Sequence, residues 1–584
     1  MRALRLPLIL FLAALVVRTA FIVDQADDLS FRNPLVDAYT YDRSARSVAE
    51  SGLGAIERPY YQPPLYPMLL GLLYAATDGS WVAPRIVQAL LGAAIVGLVT
   101  HLAMRASGTV AAIVAGVSLT AYGPAIYFEG ELLPTTLVLF ANTVALVLAA
   151  RADEQRRSSA LWFMAGVVLG VSCAARPTGL LLAAGVVIWS IAGTSARSRW
   201  RDAAVLVAGV ALPILPFTIA NLAVKEPVLV SWNGGINFYL GNGAGSDSLA
   251  AIQPGHAWDR LQVEPLRAGV TRRSEESRYW FRRGIAEAAR DPAAWSRALG
   301  RKALRLLDAW ETPRNTDYEV ARRRSRILDQ PLLGFGWVAP FAFLALASKR
   351  RSRYFGLLVI AIAAVAVENL LFFVAGRYRL EAVPVLCVLA GVGVAHCVRE
   401  GVSAFRPVGL AAALAATVVT LGDWLGERRI DEARAALQRG TIARRAGFDA
   451  EAEREFRRAL VRSPDDADAH RQLADLELAR GEYEGAILHY GRAIGAAPDY
   501  VSAHLGRAQA LEKVGRRADA EEHYLRALDA DPWSAEAYLN YGVYLAIDGR
   551  RDQARRAFER GLEIGGDVDP EKFRTNLRRL DAGS

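Results

Sequence analysis

From the N-terminus to about residue 423, long apolar runs alternate with short cationic loops. A chain patterned this way must satisfy its backbone inside lipid, which leaves helices as the spanning element. Candidate spans fall at about 6–23, 81–104, 107–128, 132–150, 159–175, 178–194, 202–221, 333–348, 354–375, 380–397 and 407–422, about 11 in all. The loops on one side carry Arg105, then Arg151, Arg156 and Arg157, then Arg197, Arg199 and Arg201, then Lys349, Arg350, Arg351 and Arg353, and finally Arg399 and Arg406. That bias marks the cytoplasmic side. The opposite, outer face then receives 24–80, the Glu129–Glu131 turn, Arg176-Pro177, the large segment 222–332 and Gly376–Arg379. An odd number of spans also places the C-terminal part outside.

The formal charge of +9 could point to nucleic acid, but the cations sit in loops between apolar runs, so no nucleic-acid partner is expected. Cys173, Cys387 and Cys397 fall in apolar segments, and the seven histidines form no HxxxH or HExxH spacing. No dedicated metal site is expected from these residues. At the N-terminus, apolar Leu6–Val17 is followed by Arg18 and resumes to Val23. This reads as a retained first helix with Arg18 snorkelling outward, a cleaved signal peptide being the competing reading.

The first outer loop is the most informative stretch. Asp37 and Asp42 bracket Tyr39 and Tyr41, and from Asp37 the pattern is helical, with Tyr41, Ala45, Val48 and Ala49 on one stripe until Gly52 and Gly54 end it. Pro63-Pro64 opens Leu65–Ala76, read as an amphipathic segment lying on the membrane. A carboxylate just beyond a spanning helix suits a general base acting on a lipid-linked substrate; the bland reading is a helix cap. In Tyr127–Glu131 two carboxylates, Glu129 and Glu131, sit at a helix junction at membrane depth. Arg377-Tyr378-Arg379 places cations on the outer side against the charge rule, where they suit a phosphate, or else lipid headgroups. Asn233, Asn237 and Asn242, with Trp232 and Tyr239, offer amides and aromatic faces suited to a sugar. Lys302, Trp310, Glu311, Arg314 and Asn315 form a further cluster, of a kind that is usually a salt-bridged surface.

In order along about 1–425, Asp37-Ala-Tyr-Thr-Tyr41, Tyr61-Gln-Pro-Pro-Leu-Tyr-Pro67, Glu129–Glu131, Arg176-Pro177, Asn233–Asn242 and Arg377-Tyr-Arg379 resemble the GT-C membrane glycosyltransferases. The resemblance is to the group of protein O-mannosyltransferases and the aminoarabinose transferase of lipid A. It implies an all-α polytopic bundle with an outer-face loop domain. It also implies transfer of a sugar from a polyprenyl-phosphate donor to a hydroxyl of a protein, glycan or lipid, with inversion. Asp37 would be the base, with Asp42 and Glu131 as the other acidic candidates. Arg377 and Arg379, helped by Lys302, would hold the donor phosphate, and Tyr39, Tyr61, Glu129, Asn233, Asn237 and Asn242 would contact substrate. Relatives often carry two adjacent acids here, whereas this chain has Asp37-Ala38. Some relatives use magnesium or manganese and others none, and the resemblance leaves that open.

Beyond Asp423 a 34-residue period emerges: Gly447, Gly481, Gly515 and Gly549; Ala452, Ala486, Ala520 and Ala554; Phe456, Tyr490, Tyr524 and Phe558; Pro464, Pro498 and Pro532. This is the tetratricopeptide repeat pattern, an α-solenoid of four repeats within 432–584 with a C-terminal cap, expected to engage a protein partner or acceptor. The Ala/Arg-rich composition points to a bacterial inner membrane, with active site and repeats on the periplasmic face. Two other readings stay open: an O-antigen ligase or polymerase type enzyme using pyrophosphate-linked glycans, and a non-catalytic membrane scaffold acting through its repeats.

Overall fold

The computed structural model describes residues 2–155, 158–193, 199–246, 252–352, 354–565 and 568–582; Arg156, Arg157, Arg197 and Arg353 of the cationic loops lie outside them. Regular structure among these residues is all helical, with two isolated bridges, Tyr122 to Leu333 and Ser348 to Phe405. The chain divides into two units, Met1–Ala251 with Arg272–Ile430, and Ile252–Thr271 with Asp431–Ser584.

Among the described residues of the first unit five helices are long and apolar enough to cross a membrane: Arg5–Asp24, Ala83–Thr120, Thr135–Glu154, Arg199–Ala223 and Gly376–Ala404. Shorter apolar helices, including Ser159–Ala175, Phe335–Ala347, Phe355–Leu371 and Pro407–Leu421, lie between and after them. The expected span at 107–128 is divided. Ala83–Thr120 kinks at Ser107–Gly108 and stops at Thr120, and a separate, fully buried helix Gly123–Gly130 follows. The break has a cause: Gly123 N–H donates to Leu333 O (2.9 Å) and Leu333 N–H donates to Ala121 O (2.8 Å), so those backbone groups are taken from the helical ladder.

Arg18 does not snorkel. It is 2% exposed and meets Glu129 inside the bundle, NH2 donating to Oε1 at 3.1 Å and Nε lying 2.5 Å from Oε2 in an ionic approach poorly aligned as a hydrogen bond. A guanidinium among apolar helices needs an internal partner, and Glu129 at the end of Gly123–Gly130 is that partner. Gly92 makes the room: a Cβ there would lie 2.3 Å from the Glu129 carboxyl.

The repeat unit stacks helix pairs 432–445/449–462, 467–480/483–496, 501–513/517–530 and 535–547/551–564, followed by Pro570–Ala582. Gly447, Gly481, Gly515 and Gly549 hold φ of 80°, 81°, 80° and 79° between the paired helices, a left-handed turn that favours glycine. Phe456, Tyr490, Tyr524 and Phe558 are all buried in the stack. The segment Ile252–Thr271, placed by sequence in the outer segment 222–332, folds with these repeats instead.

Two histidine pairs recur one repeat apart. His470 Nδ1 faces His489 Nδ1 at 3.1 Å and His504 Nδ1 faces His523 Nδ1 at 2.9 Å, while the Nε2 of His470 and of His504 meet the Pro464 and Pro498 carbonyls. Burial, then the neighbouring His470, pushes His489 down to about 4; burial, then Arg507 and His504, does the same to His523.

Two expectations follow. Glu129→Gln leaves Arg18 buried without a counter-charge and costs about 3–5 kcal/mol, read as a lower melting temperature of the detergent-solubilised protein. An unchanged melt removes the pair as a folding determinant. Between pH of about 6.5 and 4 the unfolded array binds protons that folded His489 and His523 refuse, so array stability falls as pH falls through that window. Hydrogen exchange on 467–530 at pH 7 and pH 5 measures it, and His489→Gln/His523→Gln flattens the difference.

Candidate functional site

Helix Val36–Ser51 brings Asp37 out in its first turn. Val36 just before it holds φ 52°, a left-handed backbone that costs a β-branched residue on the order of 1–3 kcal/mol. The helix packs on Leu65–Ala76 through Tyr41, Ala45 and Val48, and the Tyr41 and Tyr66 rings meet edge-to-face at 5.4 Å. That packing fixes where Asp37 points.

Three segments distant in sequence converge on this carboxylate. Oδ2 accepts from Arg377 NH2 (2.8 Å) and Asn315 Nδ2 (2.9 Å), and Oδ1 accepts from Gln62 Nε2 at 3.2 Å. The Asp37 side chain retains 29% of its surface, against 8% for Arg377. Burial pushes the Asp37 carboxyl up, but Arg377, Asn315 and Arg314 together outweigh it and hold it below its ordinary value. Arg377 also donates to Tyr378 Oη (2.7 Å), while its Nε is buried with no hydrogen-bond partner among the described residues. The Tyr378 ring is stacked by Arg377 at 4.7 Å and by Arg176 at 4.9 Å.

Around this centre, Tyr61 meets Trp232 ring to ring at 4.7 Å, and Arg273 lies 5.3 Å from the Trp232 ring. Trp232 N–H donates to Tyr60 O (3.0 Å), which ties 222–332 to the first outer loop. Pieces that the sequence places on one face therefore do meet.

Several candidates have other work. Asp42 is buried between Tyr74 Oη (2.6 Å) and Arg46 Nε (2.9 Å), where it holds two helices together. Glu129 is spent on Arg18. Asn242 accepts from Lys302 Nζ (3.3 Å) and Trp295 Nε1 (3.2 Å) and donates to Phe238 O and Leu371 O, so both ends of its amide are engaged within the protein. Lys302 also donates to Leu370 O (2.9 Å) and is buried against these partners. Arg379 pairs with Glu311 (2.9 Å) and donates to the Trp310 carbonyl (3.0 Å) and to that of Asp308, so it is a positioning residue. It holds 308–311 rigid and thereby presents Arg314 and Asn315 to Asp37. Glu131 stays half-buried within electrostatic reach of Arg85 and Arg377. Tyr39 is exposed on the Asp37 helix; Asn233 accepts from Ser231 Oγ (3.1 Å), and half-buried Asn237 makes no side-chain hydrogen bond among the described residues.

Gln62, Asn315, Arg314 and Tyr378 are the contacts sequence reading passed over. Gln62 lies inside the Tyr61–Pro67 motif, and Asn315 inside a cluster whose pattern reads as surface, so position is legible where role is not. Magnesium or manganese fits poorly here: the single carboxylate is already flanked by two guanidiniums, and no group of three His, Cys, Asp or Glu residues suited to a metal occurs among the described residues.

Residues 61–221 match the family model described as dolichyl-phosphate-mannose-protein mannosyltransferase, and residues 437–501 and 505–569 match the tetratricopeptide repeat model. Together they support a GT-C-type membrane glycosyltransferase core followed by a repeat array. No curated protein matches the chain. Solved structures similar to it include MamA (21% identity, 27% of this chain and 87% of that one, TM-score 0.22). Others are a thermophilic repeat protein of Thermus thermophilus (23%, 26% and 82%, 0.23) and YrrB, titled a repeat protein with an unusual peptide-binding site (17%, 30% and 82%, 0.23).

Arg377→Gln removes the largest influence lowering the Asp37 carboxyl. Its titration midpoint then moves upward, readable from the pH dependence of the carboxyl carbon shift in selectively labelled protein. An unmoved midpoint means Arg377 does not set that charge.

Proposed function

We propose that the chain transfers a sugar from a polyprenyl-phosphate donor to a hydroxyl of a protein, glycan or lipid on the extracytoplasmic face of a bacterial inner membrane. The observation that carries this reading is Asp37, an ionised and partly open carboxylate fixed by Arg377, Asn315 and Gln62 beside a buried guanidinium with one unsatisfied N–H. A buried donor without a partner costs about 1–3 kcal/mol, and an anionic oxygen at that point relieves it.

In the proposed reaction the acceptor oxygen attacks the anomeric carbon as Asp37 takes its proton. The bond from that carbon to the phosphate oxygen breaks, the electron pair leaves with the polyprenyl phosphate, and configuration inverts. Oδ1, with one neutral amide donor, is the better proton acceptor; Oδ2, with two donors, anchors the group. Arg377 serves both carboxylate and phosphate, holding the base before reaction and countering charge on the leaving group as it develops. Tyr61 and Trp232 offer aromatic faces to a sugar. No step is routed through a metal, and the repeats recruit a protein partner or acceptor.

Asp37→Asn keeps the shape and two of the three hydrogen-bonding partners but removes the base, so transfer falls by roughly 10²–10⁴-fold. Membranes carrying wild type or variant are supplied with radiolabelled polyprenyl-phosphate sugars, and labelled acceptor is counted, with insertion and melting temperature as controls. Equal labelling in both overturns Asp37 as base; labelling in neither across several sugars favours the scaffold reading. Since Asp37 is held below its ordinary pKa, its base form is complete at neutral pH, and the wild-type rate has no acid limb from this group above about pH 4.

A further inference from the structure

Within the repeat unit, the array already holds a helix. Residues 252–271, contributed from between the two halves of the first unit, lie along successive repeats in register. Gln253 Oε1 accepts from Gln438 Nε2 of the first repeat at 3.4 Å. His256 N–H donates to Asp468 Oδ1 of the second at 3.3 Å, and His256 Nε2 lies 2.6 Å from Asp499 Oδ1 at the turn into the third. Arg260 approaches Asp499 at 3.8 Å, and Arg267 donates to the Ala530 carbonyl at the end of the third repeat. The helix His256–Arg267 buries Leu261 and Pro265.

The array side of this contact is built before the helix arrives. Tyr500 Oη donates to Asp468 Oδ1 (2.5 Å) and Arg471 Nε donates to Tyr500 Oη (2.7 Å); Arg471 is in turn tied to Asp475 (2.6 Å). Asp468 thus presents a fixed carboxylate to the N-terminal turn of His256–Arg267, where the helix dipole is positive. The Tyr500 ring lies 5.2 Å from the His256 ring. Gly255 is what lets the backbone come this close: it holds φ 144°, and a Cβ would lie 2.4 Å from Asp468 Oδ1. Such a face recognises a glycine followed by a helix that brings a histidine and an arginine to Asp499, with Asp259 of its first turn within electrostatic reach of Asp468.

We propose that the Asp468–Asp499–Tyr500 face is the docking surface of the repeat array, that residues 252–271 fill it in cis, and that a partner protein binds by displacing them with a helix of the same chemistry. This deepens the reading of the array as a recruiting surface, and none of its readouts involves sugar transfer. Displacement also has a route to the first unit along the chain. Thr271 runs directly into Arg272, which donates to Lys225 O at 2.5 Å, and Arg273, which sits over Trp232.

The test uses the full chain in detergent micelles and a fluorescein-labelled synthetic peptide of residues 252–271, followed by anisotropy. In the wild type the tethered segment competes at high effective concentration, so His256→Ala/Arg260→Ala/Arg267→Ala, which weakens only that segment, binds the peptide about tenfold or more tighter. Adding Asp468→Asn/Asp499→Asn abolishes that binding. Equal affinity in wild type and triple variant, or binding that survives loss of both carboxylates, overturns the proposal. A second measurement guards against misfolding: hydrogen exchange on 256–267 should accelerate in Asp468→Asn/Asp499→Asn while 467–496 keeps its protection. Free-peptide exchange rates for 256–267 in the wild type would sink the idea.

Discussion

A polar group carried into an apolar bundle must find its partner inside the protein, because water is absent and lipid offers none. That requirement organises the membrane unit from end to end. Arg18 is answered by Glu129; Arg176 by Glu381 and Thr135; Glu381 also by Asn142; Arg379 by Glu311 and the carbonyls near it. Each pairing ties together segments far apart in sequence.

Asp37 and Arg377 obey the same rule but differ in degree. The pair keeps an opening on the carboxylate side, with 29% of the Asp37 side chain exposed against 7% for Glu129, while Arg377 Nε, like Arg18 Nε, has no hydrogen-bond partner among the described residues. Its support is indirect. Arg379 clamps the backbone of 308–311, that backbone delivers Asn315, and Asn315 shares Oδ2 with Arg377. A strained Val36 and the packing of Val36–Ser51 on Leu65–Ala76 fix the other side. Structural ion pairs thus build a frame around one further pair whose carboxylate stays partly open.

The repeat array follows a different logic. Its stability is nearly a sum of identical local contacts, an aromatic ring under each helix pair and a left-handed glycine between the paired helices, so it is written in the sequence as a period. What the array holds is not periodic. Asp468 and Asp499 both meet His256, more than two hundred residues earlier.

The sequence by itself determined the helical class, the apolar runs, the repeat period and the short list of polar segments between those runs, because hydropathy and 34-residue spacing are local properties of the chain. It also put Asp37 and Arg377 among the candidate residues. It could not separate those two from Asp42, Glu129, Lys302 and Arg379, which share their residue types and similar settings along the chain. It likewise left Gln62 and Asn315 without a role and Arg18 at the membrane surface. Those distinctions rest on which partner each charge meets at separations of 25 to 340 positions along the chain, and only the tertiary packing of the helices decides that.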